Sequence, residues 1–248
     1  MAFKKKFIVS VMGLFLLGCA TTAEINQQAE GQYEQVLKEA RSKGVLDNNS
    51  ATAQRVQKVF RTMLPYADRE NQTGTKFNWQ IAVVRSNELN AWAMPGGKMM
   101  FYTGLVEKLQ LNDDEIAVVM GHEMAHALKE HGKSTRNVGI ATSIIGVVAD
   151  IGLTVALGSN SRGVASDALN LVAMKPYSRS NETEADEVGL FLMAKSGYNP
   201  QYAPKLWQKM QAQGGSKVAS IFSTHPSDEA RQENLQRLMP EAMKYYQK

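Results

Sequence analysis

The chain has 248 residues, of which 44% are apolar and 21% charged, with a formal net charge of +4. That balance fits a globular protein with one core of ordinary size and excludes a disordered or low-complexity chain. Three of the positive charges, Lys4, Lys5 and Lys6, precede an apolar run; without that segment the excess is +1, and nucleic-acid binding gets no support.

Residues 1–18 have the anatomy of a signal peptide, with the three lysines as its basic start and Phe7 to Leu17 as its apolar stretch. The stretch is too short to span a bilayer comfortably. Leu16-Leu17-Gly18-Cys19 resembles a bacterial lipobox, which implies cleavage before Cys19 and acylation of that residue. The expected product is lipid-anchored in the cell envelope, on the periplasmic face of the outer membrane because Ala20 rather than Asp follows the cysteine. Cys19 is the only cysteine, so no intramolecular disulfide is expected.

Residues 19–32 are polar and read as a lipidated tether, which leaves 33–248 as the folded unit. Tyr33 to Lys43 and Ala51 to Tyr66 are predicted helices, separated by Gly44 and the turn chemistry of Asp47-Asn48-Asn49-Ser50. Trp79 to Arg85, Leu89 to Met94 and Lys98 to Thr103 have strand character, with turns at Ser86-Asn87-Glu88 and Pro95-Gly96-Gly97. They predict a small, largely antiparallel sheet ahead of the next helix.

That helix, Asn112 to His131, organises the chain. Asn112 or Asp113 caps it, Asp113, Asp114 and Glu115 complement its dipole, and it carries Gly121-His122-Glu123-Met124-Ala125-His126. Histidines four apart lie one above the other on a helix and can share a metal ion. Neutral imidazoles suit Zn2+, and Glu123 beside the first of them is placed to deprotonate a water that the metal acidifies. His131 is expected to be a helix-end residue, favourable near the negative pole of the dipole.

Residues 138–158 are strongly apolar, but Asp150 lies inside the run and glycines 139, 146, 152 and 158 interrupt it. They read as a helical hairpin or lid over a cleft rather than a membrane span. A catalytic zinc needs a third protein ligand and an open fourth position. The acidic stretch Asn181-Glu182-Thr183-Glu184-Ala185-Asp186-Glu187 supplies candidates.

His-Glu-Met-Ala-His followed some fifty residues later by Glu182-Thr183-Glu184-Ala185-Asp186 resembles the gluzincin metallopeptidases related to HtpX and the CAAX prenyl protease, most closely their bacterial lipoprotein branch. The resemblance implies one Zn2+ per chain on His122, His126 and Glu182, with Asp186 hydrogen-bonded to a ligand histidine and Glu123 as general base. Glu184 and Glu187 read as the solvated face of an acidic helix start, outside the site. Ser223-Thr224-His225-Pro226 resembles the family's His-Pro element, which makes His225 either an oxyanion donor or a fourth zinc ligand that holds the enzyme latent, with Arg231 helping to hold the element in place. Asn90-Ala91-Trp92-Ala93 matches the strand at the rim of the cleft in the lipoprotein branch, so Asn90 and Ala91 are substrate-binding candidates; an edge strand can hold an extended peptide by β-augmentation.

The expected fold is α+β, mainly α, of the zincin (minigluzincin-like) type, with the sheet packed on the metal helix. The expected function is zinc-dependent hydrolysis of peptide bonds in misfolded or unassembled envelope proteins. The alternative is an envelope chaperone or scaffold lipoprotein with a structural or latent zinc site, in which Glu123 is dispensable.

Overall fold

The computed structural model describes residues 20–134, 177–212, 221, 224–226 and 229–247. The signal segment with Cys19 and the apolar run 138–158 lie outside the described residues. The elements in order are α1 (Thr22–Ser42), α2 (Ala51–Glu70), β1 (Gln80–Val84), β2 (Ala91–Met94), β3 (Lys98–Tyr102), α3 (Thr103–Lys108), α4 (Asp113–Leu128), α5 (His131–Ser134), α6 (Arg179–Lys195), α7 (Tyr202–Ala212) and α8 (Glu229–Tyr245). Helices dominate and the sheet is small, as the sequence predicts.

The first departure is at the N-terminus. The expected tether is helical from Thr22 onward, because Thr21 and Glu24 form a capping box. Ala29, Tyr33, Val36, Leu37 and Ala40 give this helix one buried face. The remaining positions are polar because only that face needs to be apolar.

The second departure is in the sheet, which is mixed. Its order is β1-β3-β2; β1 pairs parallel with β3, Gln80 opposite Lys98, and β2 pairs antiparallel with it, Ala91 opposite Phe101. Every residue of β3 is buried. Its side chains alternate between two layers: Met99 and Phe101 join the core formed with α2, α4, α6 and α7, while Met100 and Tyr102 pack with α1. Between β2 and β3 the chain turns through Gly96 and Gly97 at φ of 75° and 81°, left-handed conformations that glycine adopts without strain.

β2 is an edge strand and touches α4. The backbone N–H of Tyr102 donates to Asn90 O at 3.2 Å, and antiparallel ladders alternate, so the main-chain groups of Ala91 and Ala93 point away from β3. On the far edge, residues 45–47 bond to the end of β1, with Asp47 N–H donating to Val83 O at 2.8 Å.

α4 is capped by Asn112, which forms a capping box with Glu115. It is the central helix: from Glu115 to Leu128 every residue is buried. No helix among the described residues is long and apolar enough to cross a membrane.

Candidate metal centre

Two glycines set the centre. Gly121 of α4 and Gly189 of α6 face each other so closely that a Cβ on Gly121 would lie 2.7 Å from Gly189 O, and one on Gly189 would lie 2.8 Å from Gly121 C and His122 N. With no side chain at either position the two backbones almost touch. His122 and His126 project from α4, and Glu182 and Asp186, two turns and one turn before Gly189, project from α6.

The donors converge. His122 Nε2 and His126 Nε2 are 3.0 Å apart, and His225 Nδ1 lies 3.2 Å from His122 Nε2 and 3.2 Å from Glu182 Oε1. Glu182 Oε2 is 3.3 Å from His122 Nε2 and its Oε1 is 3.4 Å from His126 Nε2. All four residues are buried, and one ligand atom from each lies within 4.8 Å of the others.

This arrangement fits a tetrahedral cation better than a hydrogen-bond network. Zn–N bonds of about 2.0–2.1 Å imply ligand atoms about 3.3 Å apart, inside the observed spread. Asp186 Oδ1 sits 2.9 Å from His122 Nδ1 and accepts its proton, which turns Nε2 toward His126, His225 and Glu182, and the one proton Nε2 can carry serves only one of the three. Glu182 Oε2 is fully buried; Arg231 Nη1 approaches to 2.8 Å, but off the direction of its N–H bonds, and Oε2 accepts no hydrogen bond. A shared cation satisfies all of these groups together.

The surrounding charges are consistent with this. Burial would raise Glu182 and Asp186, but His122 holds Glu182 far below the usual carboxylate range, and Arg231 and His122 hold Asp186 down. Burial lowers His126 and keeps that ring neutral. Burial also opposes the charge on His122, yet the Glu182 and Asp186 carboxylates raise it from 6.5 to about 10. In the metal-free protein His122 therefore carries a proton at neutral pH. Its contribution to metal-free stability is complete below 6.5 and is lost as the pH rises through about 10. A cation must displace that proton, so zinc uptake near neutral pH is expected to release about one proton, read as buffer-dependent heat in titration calorimetry.

Glu123 lies beside the cluster, buried, with Oε1 3.3 Å from His225 Nε2 and with the Ala93 backbone N–H donating to its carboxylate. Burial raises its pKa above the usual carboxylate value. The strand edge thus reaches Glu123 through Ala93. Of the two expected substrate contacts, Asn90 Oδ1 accepts from the Ala91 N–H at 2.9 Å, while Ala91 shares the outward-facing edge. Arg231 ties the centre together, donating to Asp186 through Nε and Nη2 at 2.6 and 2.8 Å and to Pro226 O at 2.7 Å, which anchors the segment bearing His225.

Three residues at the centre are not among those singled out from the sequence. Tyr177 stacks on the His126 ring, with centroids 4.0 Å apart and planes 17° apart, and its N–H donates to Thr224 O at 3.3 Å. His131, expected as an ordinary helix end, is buried with Nδ1 2.8 Å from His126 Nδ1. Glu184, expected on the solvated face, has Oε2 3.1 Å from His131 Nε2. The placement of His131 five residues after a ligand was a signal, but one that a straight helix would have denied. Cys19 lies outside the described residues.

Comparison with known proteins agrees with this geometry. The chain is 29% identical over 218 residues to the mitochondrial metalloendopeptidase OMA1 of Schizosaccharomyces pombe, covering 87% of this chain and 61% of that protein. It is 27% identical over 195 residues to the metalloprotease YcaL of Escherichia coli, covering 77% and 74%, and 26% identical over 219 residues to the β-barrel assembly-enhancing protease of the same organism, covering 85% and 43%. The chain thus spans less than two-thirds of the length of two of these three relatives. The sequence profile of peptidase family M48, whose metallopeptidases use zinc, matches residues 50–239, from the cap of α2 through the donor-bearing helices to α8, and the chain belongs to that family.

Proposed function

We propose that the chain is a zinc-dependent endopeptidase. The observation that carries this reading is Glu123, a buried carboxylate next in sequence to a metal donor and in contact with the outer edge of β2. His122, His126 and Glu182 would hold the zinc, which would supply a Lewis acid able to acidify a water and polarise the scissile carbonyl. Glu123 takes the proton of that water as its oxygen bonds to the carbonyl carbon, and delivers it to the amine nitrogen as the C–N bond breaks. Burial, by raising the proton affinity of Glu123, suits it to both transfers. No acyl-enzyme forms.

The outward N–H and C=O of Ala91 and the C=O of Ala93 align an extended peptide across the centre, with Asn90 holding the Ala91 N–H until substrate replaces it. His225 presents Nδ1 to the donors while its Nε2 faces Glu123 at 3.3 Å; kept there it would take a fourth place and exclude water, and withdrawn from it the ring would be free to donate to the developing oxyanion.

An extended-strand cleft accepts unfolded chains more readily than folded ones. Together with the lipobox-like Leu16-Leu17-Gly18-Cys19, this supports a lipid-anchored protease on the periplasmic face of the outer membrane that removes misfolded or unassembled envelope proteins. Zinc-loaded protein is expected to cleave a reduced and alkylated model protein and to spare its folded form, with a chelator abolishing cleavage. Preference for the folded form would remove the quality-control reading.

The presence of His225 among the donors supports a second reading, a chaperone or scaffold lipoprotein whose zinc site is filled and structural. That protein would bind the same unfolded clients without hydrolysing them.

A further inference from the structure

We propose that His131 and Glu184 are positioning residues of the metal centre, forming a hydrogen-bonded relay that fixes the tautomer and ring plane of His126. The proposal rests on the zinc reading of the cluster. A histidine that offers Nε2 to a metal carries its proton on Nδ1 and needs an acceptor there. His122 has Asp186, 2.9 Å away. Among the described residues none offers His126 Nδ1 a carboxylate; its partner there is His131 Nδ1 at 2.8 Å.

Each proton then has one place. His126 Nδ1–H donates to His131 Nδ1, so the His131 proton is on Nε2, from which it donates to Glu184 Oε2 at 3.1 Å. Glu184 Oε2 is the acceptor, and Lys129 Nζ lies 3.3 Å from its other oxygen. The relay runs from a buried ligand to a carboxylate whose side chain is 46% exposed.

The backbone is shaped to make this contact. On a continuous helix, residues five apart lie about 140° apart around the axis and do not face each other. Here α4 ends at Leu128, and Glu130 adopts φ of 52°, left-handed and unfavourable for a residue with a Cβ, so that α5 folds back and returns His131 to His126. The side chain of Glu130 is held in that turn by Thr22 Oγ1 at 2.7 Å and Lys133 Nζ at 3.3 Å. Strain retained at one residue and secured from α1 marks a placement that the fold maintains. Tyr177, stacked on His126 at 4.0 Å, clamps the ring plane that the relay orients.

The test uses the full chain and four proteins: parent, His131→Ala, His131→Asn and Glu184→Ala. Zinc affinity is measured by competition with a chromogenic chelator, beside metal-free melting temperatures and the visible spectrum of the cobalt-substituted forms. The parent binds one zinc. His131→Ala weakens zinc about 10–100-fold, the range for loss of a partner behind a metal ligand, and shifts the cobalt bands. His131→Asn, whose Oδ1 can stand in for Nδ1 as acceptor, recovers most of the affinity. Glu184→Ala, on a half-exposed side chain, weakens zinc less and leaves the metal-free melting temperature unchanged.

Equal zinc affinity in the parent, His131→Ala and Glu184→Ala overturns the relay while leaving the zinc site standing. So does a loss in His131→Ala that Asn fails to repair and Glu184→Ala does not share, because His131 would then only fill space. A parent that takes up no zinc overturns the reading of the cluster itself, and the relay with it.

Discussion

Glu123→Gln is expected to keep its zinc and lose hydrolysis. Gln has the shape of Glu and can still accept from the Ala93 N–H, and Glu123 is not one of the four converging donors, so metal content and melting temperature should match those of the parent. What disappears is, among the described residues, the only carboxylate beside the cluster that is not one of its donors or bonded to Arg231. A general base contributes about 10²–10⁴-fold, and turnover of an unfolded substrate should fall by that factor. The pair is compared at equal zinc stoichiometry, with cleavage followed by mass spectrometry of the fragments. Hydrolysis by the parent and not by the variant establishes the peptidase and its base together. Equal hydrolysis by both points to a contaminating protease, and client binding without hydrolysis by either supports the chaperone reading.

The residues legible in the sequence are those whose relationships are local. His122 and His126 at i and i+4, and Glu182 and Asp186 at the same spacing, keep their geometry wherever their helices lie. Capping by Asn112 could be read for the same reason. His225 was found because a proline follows it in a family-like element, and its arrival among the donors is a tertiary event. His131 and Glu184 could not be read, because their contact needs a left-handed turn at Glu130 that no residue type there announces. Tyr177 stands just before α6, and its stacking on His126 depends on how that helix lies against α4. The parallel pairing of β1 with β3 depends on a crossing between strands, whereas alternation within a strand reports only its two faces. The sequence reading leaves out the first eleven residues of α1, Thr22 to Gln32, where polar surface positions outnumber the buried ones.

The Gly121–Gly189 crossing carries the other large effect, because it joins the two helices that supply the donors. Gly189→Ala places a Cβ 2.8 Å from main-chain atoms of Gly121 and His122, about 1 Å inside normal contact, and no side chain there can swing aside. The helices must separate, at a cost of about 1–3 kcal/mol, the usual range for overpacking. The consequence for the centre is steeper. His122 and His126 stay with α4 while Glu182 and Asp186 leave with α6, so a shift of about 1 Å opens the 3.3 and 3.4 Å separations of Glu182 from His122 and His126. Activity should fall about 10²-fold, the scale for a misplacement of that size, with weaker zinc binding in parallel. Gly31→Ala is the control: that glycine is exposed within α1 with nothing within 4 Å of the added Cβ, and the change should be neutral or stabilising by about 0.5–1 kcal/mol. Urea unfolding of the zinc-loaded proteins, read beside zinc affinity, separates the two. If Gly189→Ala matched Gly31→Ala in both, the close crossing would not be what holds the donors together.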